Sequence, residues 1–364
     1  MKAFRLIGMA LVAMCLCMNF ASCSNEDVVA PEDPQEEKYI TVGLGCTGEF
    51  LEFSDSPLSR TSTEELYGIQ VYSLTETNRY YDNETGEPIV EYDETQYAYG
   101  MFTSLENVKI RLLEGQEYKF EVSIVIDPFN ENTEWSKYGG GHSRDYWFNR
   151  SYEEYYSEFG AEFAYSSDYG LSLSHIDRWS IKETQHPYDR YYGELSGYTP
   201  TENGSVEIDT KRVVYGVKYV TSGLNEGESL KVEVARDGGS NSIYLAELGS
   251  EINESIYTFD RIEKAWKGIE VWNKNTQKYE YENYTSDKRL AITWNKADGT
   301  AVPMGTYKVT FKRNVMTTIK IKAENLNLDN GITVLKEEVS MAADENIYEI
   351  EGGTVTEVPV ISGN

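Results

Sequence analysis

Few residues in this 364-residue chain are equipped for chemistry, and their scarcity narrows what the chain can do. It holds three histidines, His142, His175 and His186. A nucleophilic triad or a histidine-rich metal site would consume most of them. His175-Ile176-Asp177 has the spacing of a ligand pair on a strand but none of the recognised zinc spacings, so no metal site is expected. No glycine-rich phosphate loop precedes a helix, and no Gly-x-Ser-x-Gly elbow occurs. With 61 acidic residues, a pair of carboxylates for glycoside hydrolysis is set by spatial separation that spacing along the chain does not give. The reading is therefore non-enzymatic and without cofactor, with a hydrolase the third choice. Ring density is the one feature suited to binding: eleven of the 29 tyrosines fall between Tyr138 and Tyr198, together with Trp147 and Trp179. Such rings either stack on sugars or partner surfaces, with Trp147 and Trp179 as the stacking residues, or fill a core poor in Val and Ile.

The four cysteines give no disulfide framework. Cys15 and Cys17 lie in an N-terminal stretch with the layout of a secretory signal: Lys2 and Arg5, an apolar run from Leu6 to Met18, then Phe20-Ala21-Ser22. Ala21-Ser22 before Cys23 resembles a bacterial lipobox, which implies cleavage after Ser22 and a lipid on Cys23 as the only membrane contact. Cys46 is left as a small strand residue. Residues 23–37, with Pro31, Pro34 and a cluster of acids, are too polar to fold and read as a disordered tether. The net charge of −28 becomes −30 once Lys2 and Arg5 leave with residues 1–22, which disfavours nucleic acid as a partner.

Past the tether the hydrophobic period is two. Ile40, Val42 and Leu44 alternate, as do Tyr67, Ile69 and Val71. Asn107–Ile126 reads as a hairpin turning at Glu114–Glu117, with one wet face. Asp127–Pro200 loses the pattern, apart from a short amphipathic helix expected over Ser151–Tyr165. Strand periodicity returns at Ser205 and runs through a hairpin that turns at Asn295–Pro303, then through Thr317–Lys322, Gly331–Val339 and Ile347–Val360. The division predicted is 38–204, carrying an aromatic-rich insertion over about 127–200, and 205–364.

These parts together resemble the fimbrillin-like lipoproteins of Bacteroidetes: the lipobox, the acidic tether, Leu66-Tyr-Gly-Ile-Gln-Val-Tyr, and Tyr307-Lys-Val-Thr-Phe-Lys-Arg-Asn-Val-Met-Thr-Thr-Ile-Lys-Ile. The resemblance implies an all-β chain of two tandem transthyretin-like β-sandwich domains, exported to the cell surface on the outer membrane. It also implies a part in type V pili, as subunit, anchor or tip. In that family an arginine-specific protease cuts after the first strand, and a strand from another subunit fills the vacated groove. Arg60, in the polar stretch Ser54–Thr63, stands at the corresponding place. The expected partners are other pilus subunits by strand addition, and a protein or glycan of a host or bacterial surface. The alternative is a surface glycan-binding lipoprotein that uses the Tyr/Trp-rich segment.

Overall fold

The computed structural model describes residues 37–52, 64–83, 86–128, 148, 163–165, 170–175, 188–235, 243–249, 252–326, 329–341, 356–357 and 360–361. Contacts divide the chain into Met1–Lys38 and a compact unit, Tyr39–Asn364. The fold is all-β. Among the described residues no helix is long and apolar enough to cross a membrane.

The first elements are β1 (Tyr39–Gly48), α1 (Glu49–Glu52), β2 (Glu65–Tyr81), β3 (Pro88–Phe102), β4 (Lys109–Leu113), β5 (Glu117–Ile126), β6 (Ala164–Tyr165), β7 (Arg190–Tyr198) and β8 (Gly204–Arg212). They form one sheet in the order β4-β1-β8-β7-β5-β2-β3-β6. The alternating apolar residues read from the sequence all point into one core: Ile40, Val42 and Leu44 from β1, Tyr67, Ile69 and Val71 from β2, Ile110 and Leu112 from β4, and Val206 and Ile208 from β8. Side chains from both ends of the strand order meet there, so the sheet rolls round its own contents. Across the seam Tyr97 Oη donates to the Arg111 carbonyl at 2.7 Å, and Arg111 N–H donates to Tyr165 Oη at 3.2 Å.

Two expectations change here. The segments on either side of Glu114–Gln116 do not pair: β4 bonds to β1, whereas β5 lies between β7 and β2. The connection is an arch from one layer to the other. Both strands aim apolar residues at the same core from opposite sides, and β5 is buried on both faces from Phe120 to Ile126, so its one-wet-face reading fails. At the end of the expected helix, Ala164–Tyr165 is a strand on β3; residues 151–162 lie outside the described residues.

The second half comprises β9 (Val214–Ser222), β10 (Ser229–Ala235), β11 (Ile243–Leu248), β12 (Asn253–Thr258), α2 (Ile262–Lys267), β13 (Ile269–Asn273), β14 (Lys278–Glu282), β15 (Thr285–Asn295), β16 (Ala301–Lys312), β17 (Val315–Leu326), β18 (Asp329–Ser340), β19 (Thr356–Glu357) and β20 (Val360–Ile361). Two five-stranded sheets, β11-β10-β15-β16-β20 and β12-β9-β17-β18-β19, share a core that includes Val217, Leu230, Val232, Ile292, Trp294, Val309 and Ile319. The hairpin at Asn295–Pro303 is present, joining β15 to β16. By strand pairing the sheets change at Val213, because Gly204–Arg212 belongs to the eight-stranded sheet.

Candidate functional site

β1 has an unusual position for a first strand: it lies inside the sheet and not at its edge. It runs antiparallel to β4, with Tyr39 opposite Leu113 and Gly43 opposite Lys109, and parallel to β8, with Val42 opposite Gly204 and Gly48 opposite Thr210. Ile40, Val42 and Leu44 are at most 8% exposed. Burying each such side chain stabilises by ~1.5–3 kcal/mol. Removing β1 would therefore open an apolar lane and strip β4 of the strand it pairs with, a state that a new strand would strongly stabilise.

Polar contacts fix the position of β1 along the lane. Thr41 N–H donates to Asn203 Oδ1 at 2.8 Å, and Thr210 Oγ1 donates to the Thr47 carbonyl at 2.8 Å. At Gly48 the backbone takes φ +81°, in the left-handed region that favours glycine, and turns the chain into α1. There Phe50 packs edge-on against Tyr67 and Tyr191, with ring centroids 6.1 and 5.4 Å away.

Glu49 anchors the end of this segment. Its carboxylate accepts from Arg313 Nη1 at 2.8 and 3.1 Å and from the Arg212 backbone N–H at 2.8 Å. Arg313 Nη1 also donates to the Arg212 carbonyl at 2.9 Å, and its Nε donates to Asn283 Oδ1 at 3.1 Å. The Arg212 side chain grips Asp189 with bonds of 2.7 and 2.9 Å. Burial works against the charge on Arg212, but Asp189, Tyr191 and Glu49 outweigh it and hold the guanidinium more firmly protonated than usual. Glu49, Arg212 and Arg313 were not legible as a group, because the bonds span 163 and 264 residues and no local motif marks them.

Cys23, Arg60, Trp147 and Trp179 lie outside the described residues. Of the histidines, His175 is described, and its ring nitrogens lie 3.4 Å from Ser172 Oγ. Among the described residues no group of three His, Cys, Asp or Glu side chains is placed to hold a metal ion. Cys46 is half-buried, and burial, with Glu207 and Glu65 nearby, pushes its thiol up to about 12, which disfavours the thiolate. Within the aromatic-rich insertion, Phe148, Leu171, Leu173, Tyr188, Tyr191 and Tyr192 are buried, whereas Tyr165 is exposed. Those buried side chains serve packing.

No family model matches the chain, and no curated protein matches it. Among solved structures the chain is similar to the fimbrial anchor protein Mfa2 from Porphyromonas gingivalis, with 8% identity, 84% of this chain and 99% of that chain covered, and a TM-score of 0.37. It is also similar to a fimbrial assembly protein from Parabacteroides distasonis, with 12% identity, 88% of this chain and 100% of that chain covered, and a TM-score of 0.33. Other solved neighbours are described as putative adhesins or cell adhesion proteins of Bacteroides species, and one, from Bacteroides thetaiotaomicron, as a putative polysaccharide-binding protein. Likeness at this level is too distant to assign residues, whose roles rest on the geometry above.

Proposed function

We propose that this chain is a non-enzymatic surface lipoprotein that joins a pilus or its anchorage by strand exchange, with β1 as the strand that is replaced. The observation that carries this reading is the place of β1. It is the first strand among the described residues, it fills an interior lane of the sheet, and residues 53–63, which include Arg60, lie between α1 and β2 in the sequence. A single backbone cut in that stretch would leave β1 held by non-covalent contacts alone, in a lane whose apolar floor favours occupation. In this proposal Cys23 carries the lipid, and the two halves act as tandem sandwiches.

The test treats the purified full chain with an arginine-specific protease and reads both the new N-terminus and the mobility in sodium dodecyl sulfate. A start at Thr61 together with ladders that resist the detergent is the expected result. Cleavage with no assembly, or a chain left whole at Arg60, would sink the exchange mechanism and leave a permanently tethered surface protein.

A further inference from the structure

Glu49 and its partners fall on opposite sides of the proposed cut. Glu49 belongs to the segment that departs with β1, whereas Arg313 and Arg212 belong to the body that stays. The pair is largely sheltered, with side-chain exposures of 23% for Glu49 and 16% for Arg313. When β1 leaves, the far end of the lane keeps the Arg313 guanidinium and the Arg212 backbone N–H, which in the intact chain hold the Glu49 carboxylate. Along the rest of the lane Ile40, Val42 and Leu44 are buried, so apolar side chains are required there.

The geometry points to a charge-selecting acceptor lane, a specificity that rests on the strand-exchange reading. The strand it takes has three alternating apolar residues in the places of Ile40, Val42 and Leu44, then a carboxylate five residues beyond the last of them, in the place of Glu49. Glycine is needed in the place of Gly48, where an added Cβ would lie 2.6 Å from the Thr210 carbonyl. Residues 341–364 of this chain contain no three alternating apolar residues. Two short pieces of that tail, Thr356–Glu357 and Val360–Ile361, pair with β18 and β16 of its own second half. The tail of a second copy therefore does not meet the pattern, and the occupant proposed is a strand of a different subunit that does.

The experiment uses the full chain with a specific protease sequence placed between residues 53 and 63, cut after folding. It is challenged with an excess of three fluorescent peptides: residues 39–52, the same peptide carrying Glu49→Gln, and residues 345–362. Uptake is read by anisotropy. Uptake of the first, with the second ~10-fold weaker because a charge-assisted pair is lost, and none of the third is the expected pattern. An Arg313→Met acceptor, checked for an unchanged melting profile, keeps only the Arg212 N–H for the carboxylate and then discriminates the first two peptides clearly less. Equal uptake of both by the unaltered acceptor, or tail uptake matching the first peptide, overturns the charge rule and leaves the exchange reading standing. Failure of all three to enter overturns both.

Discussion

Gly48 shows how much one residue decides at the site. Its φ of +81° alone costs an L-residue about 1–2 kcal/mol, and an added Cβ would also sit 2.2 Å from Asp209 Oδ1 and 2.6 Å from the Thr210 carbonyl. Gly115, at the arch between β4 and β5, has φ +78° with open space around the Cβ position. Gly48→Ala is therefore expected to destabilise clearly more than Gly115→Ala in urea unfolding, the difference being the steric part; equal losses would show that the end of β1 gives way. At this scale the sequence was half legible. Ile40, Val42 and Leu44 announced themselves by alternation, because burial follows strand period. Glu49 did not, since its role depends on Arg212 at the end of β8 and Arg313 in the turn after β16, both far along the chain.

Strands were easier to find than their neighbours. A short loop with a left-handed glycine serves a hairpin or an arch equally well, and what separates the two at Glu114–Gln116 is pairing with β1 and β2, many residues away. The consequence is mechanical: β4 takes its ladder from β1 and its outer polar groups from Tyr97 and Tyr165. Leu112, fully buried on β4, faces the β1 side chains in the core. Leu112→Ala is expected to cost about 2–5 kcal/mol as a cavity. Hydrogen exchange should rise most in β4 and β1 and least in β5. Uniform loss of protection would mean that β1 and β4 do not open as a pair, and would weaken the case for β1 as the removable strand.

The halves share more than a linker. The outer face of the eight-stranded sheet, carrying Leu66, Tyr99, Val125 and Tyr192, belongs to the same apolar cluster as α2 residues Ile262 and Ala265, Phe259 and the core of the second half. Segment 170–175 completes this cover: Glu263 N–H donates to the Ser174 carbonyl at 2.9 Å, and Leu171 N–H donates to the buried Gln70 Oε1 at 2.8 Å. Strand periodicity cannot show such a join, because it reports which residues face inward and not what lies beyond the sheet. Continuous packing implies that Tyr39–Asn364 unfolds as one cooperative unit. Pulsed alkylation of Cys46, whose thiol burial pushes up and whose exposure rises when the sheet opens, follows the first half. Pulsed amide exchange in β10 and β15 follows the second. The two urea midpoints should coincide in the native chain. Ile262→Asp puts an unpaired carboxylate at a fully buried position, which costs several kcal/mol unless the join separates. Separation is the expected response, with the midpoints drawing apart. Midpoints that fall together would show that contacts other than the α2 packing hold the halves, among them the Glu49–Arg313 pair and the Thr258 Oγ1 bond to the Tyr188 carbonyl.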